Sequence, residues 1–178
     1  KWFFKYLPIR KDVAVFESYW GSQYSCNPRA LSEYLSKNSN IKPIWFLNRK
    51  IINGLNLDKG SVQFIPKLSL RYFYYIATAK YFINNVNFPD FLKKREGTIH
   101  IQTQHGTPLK LMGFDERLHA GAPKRHFIGL RNRSARWDYL LSSNSYSSEV
   151  WKRCFPFNYK EIALGYPRND ILVNYKDN

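Results

Sequence analysis

Sulfur is scarce in this chain: one methionine, Met112, and two cysteines, Cys26 and Cys154, among 178 residues. With its only methionine at 112, the chain does not open on an initiator, and it is expected to be a piece of a longer protein. The two cysteines lie far apart and form no C-x-x-C pair, which argues against a disulfide framework and for a reducing compartment. No apolar run reaches the roughly 18 residues that span a bilayer. The richest stretch, Leu70 to Ile83, is interrupted by Arg71, Thr78 and Lys80. A secretory leader with an apolar h-region is also missing. Acidic residues are few, 13 against 28 Lys and Arg, for a formal net charge of +15. Such an excess favours a polyanionic partner: nucleic acid, anionic lipid or a phosphate-rich substrate.

The missing motifs exclude several chemistries. There is no G-x-G-x-x-G, no G-x-x-x-x-G-K, no G-x-S-x-G and no H-E-x-x-H. Without a D-x-D pair, the carboxylates of a metal-dependent nucleotide-sugar site are lacking. Asp115-Glu116 reads as a solvated surface pair rather than a cation site. His100, His119 and His126 have no metal-like spacing to the cysteines or to one another. Neither a metal nor a cofactor is expected.

What is present is aromatic, apolar and regularly alternating. Hydrophobic residues make up 44% of the chain and aromatics 17%, enough for one packed domain. Strand-like runs fall at Val13 to Tyr19, Ile44 to Leu47, Val62 to Ile65, Tyr81 to Ile83, Thr98 to Thr103, Tyr139 to Ser142 and Ile162 to Leu164. Between them, Asn27-Pro28 opens a helix with Asn27 as cap. Ser69 caps a helix running to about Ala77, and Asn144 caps another that carries Val150 and Trp151. The alternation implies an α/β fold, Rossmann-like, with a mainly parallel sheet covered by helices on both faces. Gly113 to Arg136 is the one long irregular stretch.

Sites in such sheets gather beyond the carboxyl ends of the strands. Those ends read Trp20-Gly21, Asn84-Asn85, His105-Gly106-Thr107, Ser143-Asn144 and Gly165-Tyr166-Pro167. His105 stands at a strand tip, where an imidazole can accept a proton near neutral pH. Gly106 lets backbone approach a ligand. Thr107-Pro108 is expected to start a helix whose free N–H groups receive a phosphate.

The basic residues Lys93-Lys94-Arg95, Lys124-Arg125, Arg131, Arg133 and Arg136 form either a solvated face or a surface attracted to anionic lipid. Cations interleaved with aromatics also suit single-stranded nucleic acid. Most aromatics, however, fall inside strand and helix patterns, so they are assigned to the core and nucleic acid is not the expected partner.

Four segments, in order and over nearly the whole chain, are similar to the CDP-glycerol glycerophosphotransferases of teichoic acid and capsule synthesis. They are Glu17-Ser18 with Gly21 and Tyr24 to Ala30, Ala79 to Asn85, Gln102 to Lys110, and Gly165 to Asp170. The resemblance implies one half of a glycosyltransferase-B-like fold: residues 1–12 an upstream linker or helix end, 13–172 a Rossmann-like acceptor-side domain, and 173–178 the start of a linker to a nucleotide-binding half. It implies transfer of glycerol phosphate from CDP-glycerol to a membrane-linked polyol-phosphate acceptor at the cytoplasmic membrane face, with CMP released. The motif histidine implicated in catalysis is His105, and Gly106, Thr107, Lys110, Arg168, Asn84 and Gly21 are the candidate substrate-binding residues. The chain departs from the family pattern at Gln104, usually Trp, and at Cys26, usually Asp. The alternatives are a CDP-ribitol polymerase, or a basic module that docks on membranes or nucleic acid without chemistry.

The charge leads to a first test. The protein is expected to sediment with vesicles containing anionic lipid and to be released by salt, since the Debye length falls from about 10 Å at 0.1 M to about 3 Å at 1 M. Binding that ignores lipid charge contradicts this, as does tighter binding to single-stranded nucleic acid.

Overall fold

The computed structural model describes residues 3–55, 62–116 and 123–174. Seven strands form one sheet: β1 Arg10–Glu17, β2 Lys42–Leu47, β3 Gln63–Pro66, β4 Ala79–Asn84, β5 Ile99–Gln102, β6 Tyr139–Leu141 and β7 Lys160–Ile162. Every neighbouring pair runs parallel, in the order β3-β2-β1-β4-β5-β6-β7. A parallel sheet is buried on both faces, so its strands need near-continuous apolar sequence. Val13 to Phe16 meets that requirement, with all four side chains wholly buried.

The helices among the described residues are α1 Cys26–Asn38, α2 Arg49–Gly54, α3 Leu70–Thr78, α4 Lys124–Ser134, α5 Ser145–Cys154 and α6 Asp170–Asn174. On one face, Tyr72 and Tyr75 of α3 pack on Val13, Val15, Phe46 and Phe82. On the other, Leu31 and Leu35 of α1 and Ile51 and Ile52 of α2 cover Ala14, Phe16, Trp45 and Leu47. Trp45 also donates its indole N–H to Ser32 Oγ at 2.9 Å, which satisfies a polar atom the core would otherwise strand. A third cluster joins Phe127 and Leu130 of α4 to Val150 and Trp151 of α5 around Leu140. Full burial of each such side chain contributes about 1.5–3 kcal/mol.

The seven strands and the Ser69 and Asn144 caps stand where the sequence reading puts them, with edges shifted. Ser69 Oγ accepts from Tyr72 N, and Asn144 Oδ1 from Ser147 N at 2.8 Å. β7 ends at Ile162 instead of starting there, and β1 begins at Arg10, within the stretch read as an upstream linker. Three readings are corrected. Asn27 is not the cap of α1; Ser25 holds that position, and Asn27 lies buried in the first turn. Gly113 to Arg136 is not irregular throughout, because α4 lies within it; its basic, weakly amphipathic composition hides the periodicity. Asp115 is not a solvated acid: it is buried and takes the Arg153 guanidinium at 2.7 Å and the Cys154 thiol at 3.2 Å.

The basic cluster is largely committed to internal contacts. Arg136 is buried and donates to the carbonyls of Phe88, Pro89 and Leu92. Arg95 donates to those of Leu7 and Ala77, while Lys94 pairs with Asp138 and Arg133 with Asp90. Lys93, Arg125 and Arg131 remain exposed. His119 and residues 175–178 of the expected linker lie outside the described residues. No helix among the described residues is long and apolar enough to cross a membrane.

Strand order reverses between β1 and β4, the switch point of a doubly wound sheet. Glu17, Asn84 and Gln102 sit side by side there, paired in register across β1, β4 and β5. Burial pushes the Glu17 carboxyl up to about 7, against the pull of Lys67 at 3.1 Å. Asn84 Oδ1 lies 2.9 Å from Nε2 of His100, which burial, with Arg136 and Lys94 nearby, holds well below the ordinary imidazole value.

These two groups bend stability in opposite directions. Between the ordinary carboxyl value of 4.5 and about 7, folded Glu17 keeps a proton that the unfolded chain has shed, so stability falls as pH rises. Below the ordinary imidazole value of 6.5, unfolded His100 takes a proton that the folded state refuses, so stability falls as pH drops. Relative to wild type, Glu17→Gln is expected to tilt the profile toward stability rising with pH. His100→Gln is expected to tilt it the other way. The two tilts, opposite in sign, are read from urea melts between roughly pH 4.5 and 6.5. Parallel profiles for all three proteins contradict this account.

Candidate active site

The carboxyl edge of the sheet at the switch point carries the site. After β1 the chain turns through Tyr19–Gly21, fixed by Tyr19 N donating to Asn85 Oδ1 at 3.0 Å. Lys67 reaches over from the end of β3, bonding both Glu17 and the Trp20 carbonyl, the latter at 2.9 Å. After β5 the chain leaves the sheet through Thr103 and Gln104, and His105 emerges exposed at the tip.

Backbone strain is concentrated at this edge. Four of the five non-glycine residues with left-handed φ among the described residues lie here: Tyr19 (43°), Trp20 (56°), Cys26 (65°) and Gln104 (51°). Each costs roughly 1–3 kcal/mol and persists only where the surroundings fix it. Gln104, the departure beside the histidine, is buried, with its N–H on Gln102 Oε1 at 3.1 Å.

His105 meets the Tyr19 ring at 5.7 Å between centroids. Although His105 is exposed as a residue, partial burial and then the Arg168 guanidinium hold it below the ordinary imidazole value. Arg168 is held in turn: Nη1 lies 3.3 Å from Cys26 Sγ, and the guanidinium carbon lies 5.7 Å from the centre of the Tyr166 ring. The Tyr19 hydroxyl also points at Cys26 Sγ, at 3.7 Å, and burial together with that thiol pushes the phenol up to about 12. At neutral pH the edge therefore presents an unprotonated imidazole beside a fixed cation.

Of the candidate residues, His105, Gly106 and Arg168 come together. A Cβ on Gly106 would meet Arg168 Nη2 at 3.9 Å, an ordinary van der Waals contact with the cation. Thr107 and Lys110 are exposed further along the same loop. Asn84 and Gly21 are placed differently. Asn84 is wholly buried against His100, and Gly21 lies under Lys67, where a Cβ would come within 2.5 Å of Cδ.

The helix expected to start at Thr107-Pro108 does not form, so it supplies no N–H cluster for a phosphate. The loop carbonyls are taken by tertiary donors, Gly106 O by Tyr166 Oη at 3.0 Å and Pro108 O by Tyr146 Oη at 3.2 Å. The segment stays irregular until the 3-10 turn Gly113–Asp115. The sequence reading made Asn27 a helix cap and placed Tyr166 only in a strand-end motif, without seeing that each joins distant chain segments, and it did not single out Tyr19, which flanks the histidine. No local signal marks these contacts. Among the described residues no group of three or more His, Cys, Asp or Glu is arranged to hold a metal ion.

Seven parallel strands wound in this order, with helices on both faces, define a Rossmann-like α/β fold. The profile of the family described as CDP-Glycerol:Poly(glycerophosphate) glycerophosphotransferase matches residues 2–178, and the chain belongs to that family. It is 39% identical over 175 residues to a teichoic acid poly(glycerol phosphate) polymerase of Bacillus subtilis (strain 168), covering 94% of this chain and 23% of the relative. A teichoic acid glycerol-phosphate transferase of Staphylococcus aureus (strain NCTC 8325 / PS 47) is 35% identical over 171 residues, covering 94% of this chain and 43% of the relative. Among solved structures, a His-to-Asn variant of the wall teichoic acid polymerase TagF soaked with CDPG superposes with a TM-score of 0.86 at 31% identity. That match covers 96% of this chain and 42% of the TagF chain. The chain thus spans less than half the length of these relatives.

The two glycines are expected to separate in substitution. Gly21 has φ 77° and no room for a Cβ, so Gly21→Ala should destabilise by about 1–3 kcal/mol in urea melts. Gly106→Ala, with room for a Cβ and no left-handed backbone, should stay within about 0.5 kcal/mol of wild type. Equal losses at both positions contradict the placement of Gly106.

Proposed function

We propose that this chain forms the acceptor-side half of an enzyme that transfers glycerol phosphate from CDP-glycerol to a hydroxyl of a membrane-linked polyol-phosphate chain. The observation that carries the reading is His105, exposed just beyond the carboxyl end of β5, against the Tyr19 ring and next to a glycine that borders Arg168. Family membership supplies the substrate class. The glycerol-phosphate relatives range from 33% to 39% identity, against 26% for a teichoic acid ribitol-phosphate primase of Bacillus spizizenii, which favours glycerol over ribitol.

An alcohol is a poor nucleophile at neutral pH, and a base placed on its proton contributes roughly 10²–10⁴-fold. His105 takes that proton as the acceptor oxygen bonds to the glycerol-bearing phosphorus. The bridging P–O bond breaks, and CMP leaves with its electron pair. Phosphoryl transfer otherwise rests on positioning and on cations around the phosphate. Arg168 is the first candidate for that role, with Gly106 giving close backbone approach and Thr107 and Lys110 available from the same loop. Asn84 and Gly21 act on substrate only indirectly, by shaping the strand ends. A phosphate that neutralises Arg168 also raises the proton affinity of His105, so substrate arrival strengthens the base it needs.

The nucleotide is assigned chiefly to a second half, as the resemblance implies. The site works at the cytoplasmic membrane face through peripheral contact, the arrangement that a membrane-linked acceptor requires.

In the protein as encoded, His105→Ala is expected to lower CMP release at least about 100-fold, with the melting temperature unchanged. A variant retaining more than about a tenth of wild-type turnover removes the general-base role.

A further inference from the structure

We propose that Asn27 is the positioning residue of this site, its buried carboxamide holding the His105 loop and the Arg168 turn in one fixed relation. The side chain is wholly buried in the first turn of α1. Its Nδ2 donates to Thr103 O at 3.0 Å and to Gln104 O at 2.9 Å, the two carbonyls just before His105. Its Oδ1 accepts from the backbone N–H of Arg168 at 3.3 Å, across 141 residues of sequence. One side chain therefore joins three segments: α1, the exit from β5, and the 3-10 turn Pro167–Asn169.

The geometry calls for this residue type. Three bonds need two donors and one acceptor on a short planar group, the inventory of a carboxamide. An aspartate in the same volume would turn a carboxylate oxygen toward two carbonyls and donate nothing. A leucine would remove all three bonds, leaving Gln104 O only the Thr103 hydroxyl at 3.2 Å. The bonds also act where the chain is strained, because Gln104 is left-handed and its carbonyl is one of the two that Asn27 fixes. β6 separates β5 from β7, so strand ladders tie the His105 loop to the Arg168 turn only at one remove. A second link, Tyr166 Oη to Gly106 O, runs beside the Asn27 bridge and fixes the far side of His105.

The proposal rests on the functional reading only in taking His105 and Arg168 as the working pair. Their coupling is measurable on this chain without any assay of transfer. Arg168 holds the imidazole of His105 down, so moving the guanidinium away lets His105 titrate at higher pH. The experiment follows the His105 imidazole resonances against pH in wild type, Asn27→Ala, Arg168→Gln and the double variant, with melting curves for each. Asn27→Ala is expected to raise the His105 midpoint by at least half the rise that Arg168→Gln produces. In the Arg168→Gln background it should add less than a quarter of that rise, because both changes act through the same guanidinium. Should Asn27→Ala fail to fold, Asn27→Ser keeps one hydroxyl donor and is expected to shift the midpoint in the same direction by less. A merely structural residue gives the opposite outcome: a lower melting temperature with the His105 midpoint unmoved, or equal shifts in both backgrounds. Either result overturns the proposal. Loss of the transferase reading with this coupling intact leaves the proposal standing.

Discussion

Where parallel strands end, backbone groups lose their ladder partners while still enclosed by protein, and each must find another or cost about 1–3 kcal/mol. At the carboxyl edge of this sheet the partners are side chains. Asn27 serves the carbonyls of Thr103 and Gln104, Thr103 Oγ1 that of Asn84, and Gln102 Nε2 that of Val86. Asn85 takes the N–H of Tyr19, and Lys67 serves Trp20 O. Tyr166 and Tyr146 do the same for Gly106 and Pro108. The left-handed residues around His105 are tolerated because these bonds fix them. The edge is therefore stiff and polar, while both faces of the sheet behind it are packed with apolar side chains.

That division explains how much the sequence revealed. Strands β1 and β2 were legible because full burial on both faces demands unbroken apolar runs, as in Val13 to Phe16 and Ile44 to Leu47. Ser69 and Asn144 were legible because a cap bonds within three residues of itself. α4 was not, since its composition is too basic for a clear apolar stripe. The turn after Pro108 was misread because Thr-Pro is a fair helix start locally. The tyrosines that claim its carbonyls lie 38 and 60 residues further on.

The site was legible in its one-residue signals and obscure in its connections. His105, Gly106 and Arg168 stand in recognisable motifs at a strand end and a turn. Asn27 was read as a helix cap, which is what an Asn before Pro most often does. Nothing within ten residues of it indicates that its partners are 76, 77 and 141 residues away. Charge was legible as a total and misleading as a pattern. Lys94, Arg95, Arg133 and Arg136 look like a surface cluster, yet Lys94, Arg133 and Arg136 tie the loop after β4 to α4 and to the β6 approach, and Arg95 ties it to Leu7 and to the end of α3.

The link between Asn27 and Arg168 also sets when the site comes into being. A ribosome delivers the chain from its N-terminus at about 5–20 residues per second. β1, α1 and β2 can pair long before the tyrosine and arginine of the last turn have left the tunnel. Until then the carboxamide has only its two carbonyls, and the histidine has no cation beside it. This edge of the sheet is thus completed late, after the strands on which it stands.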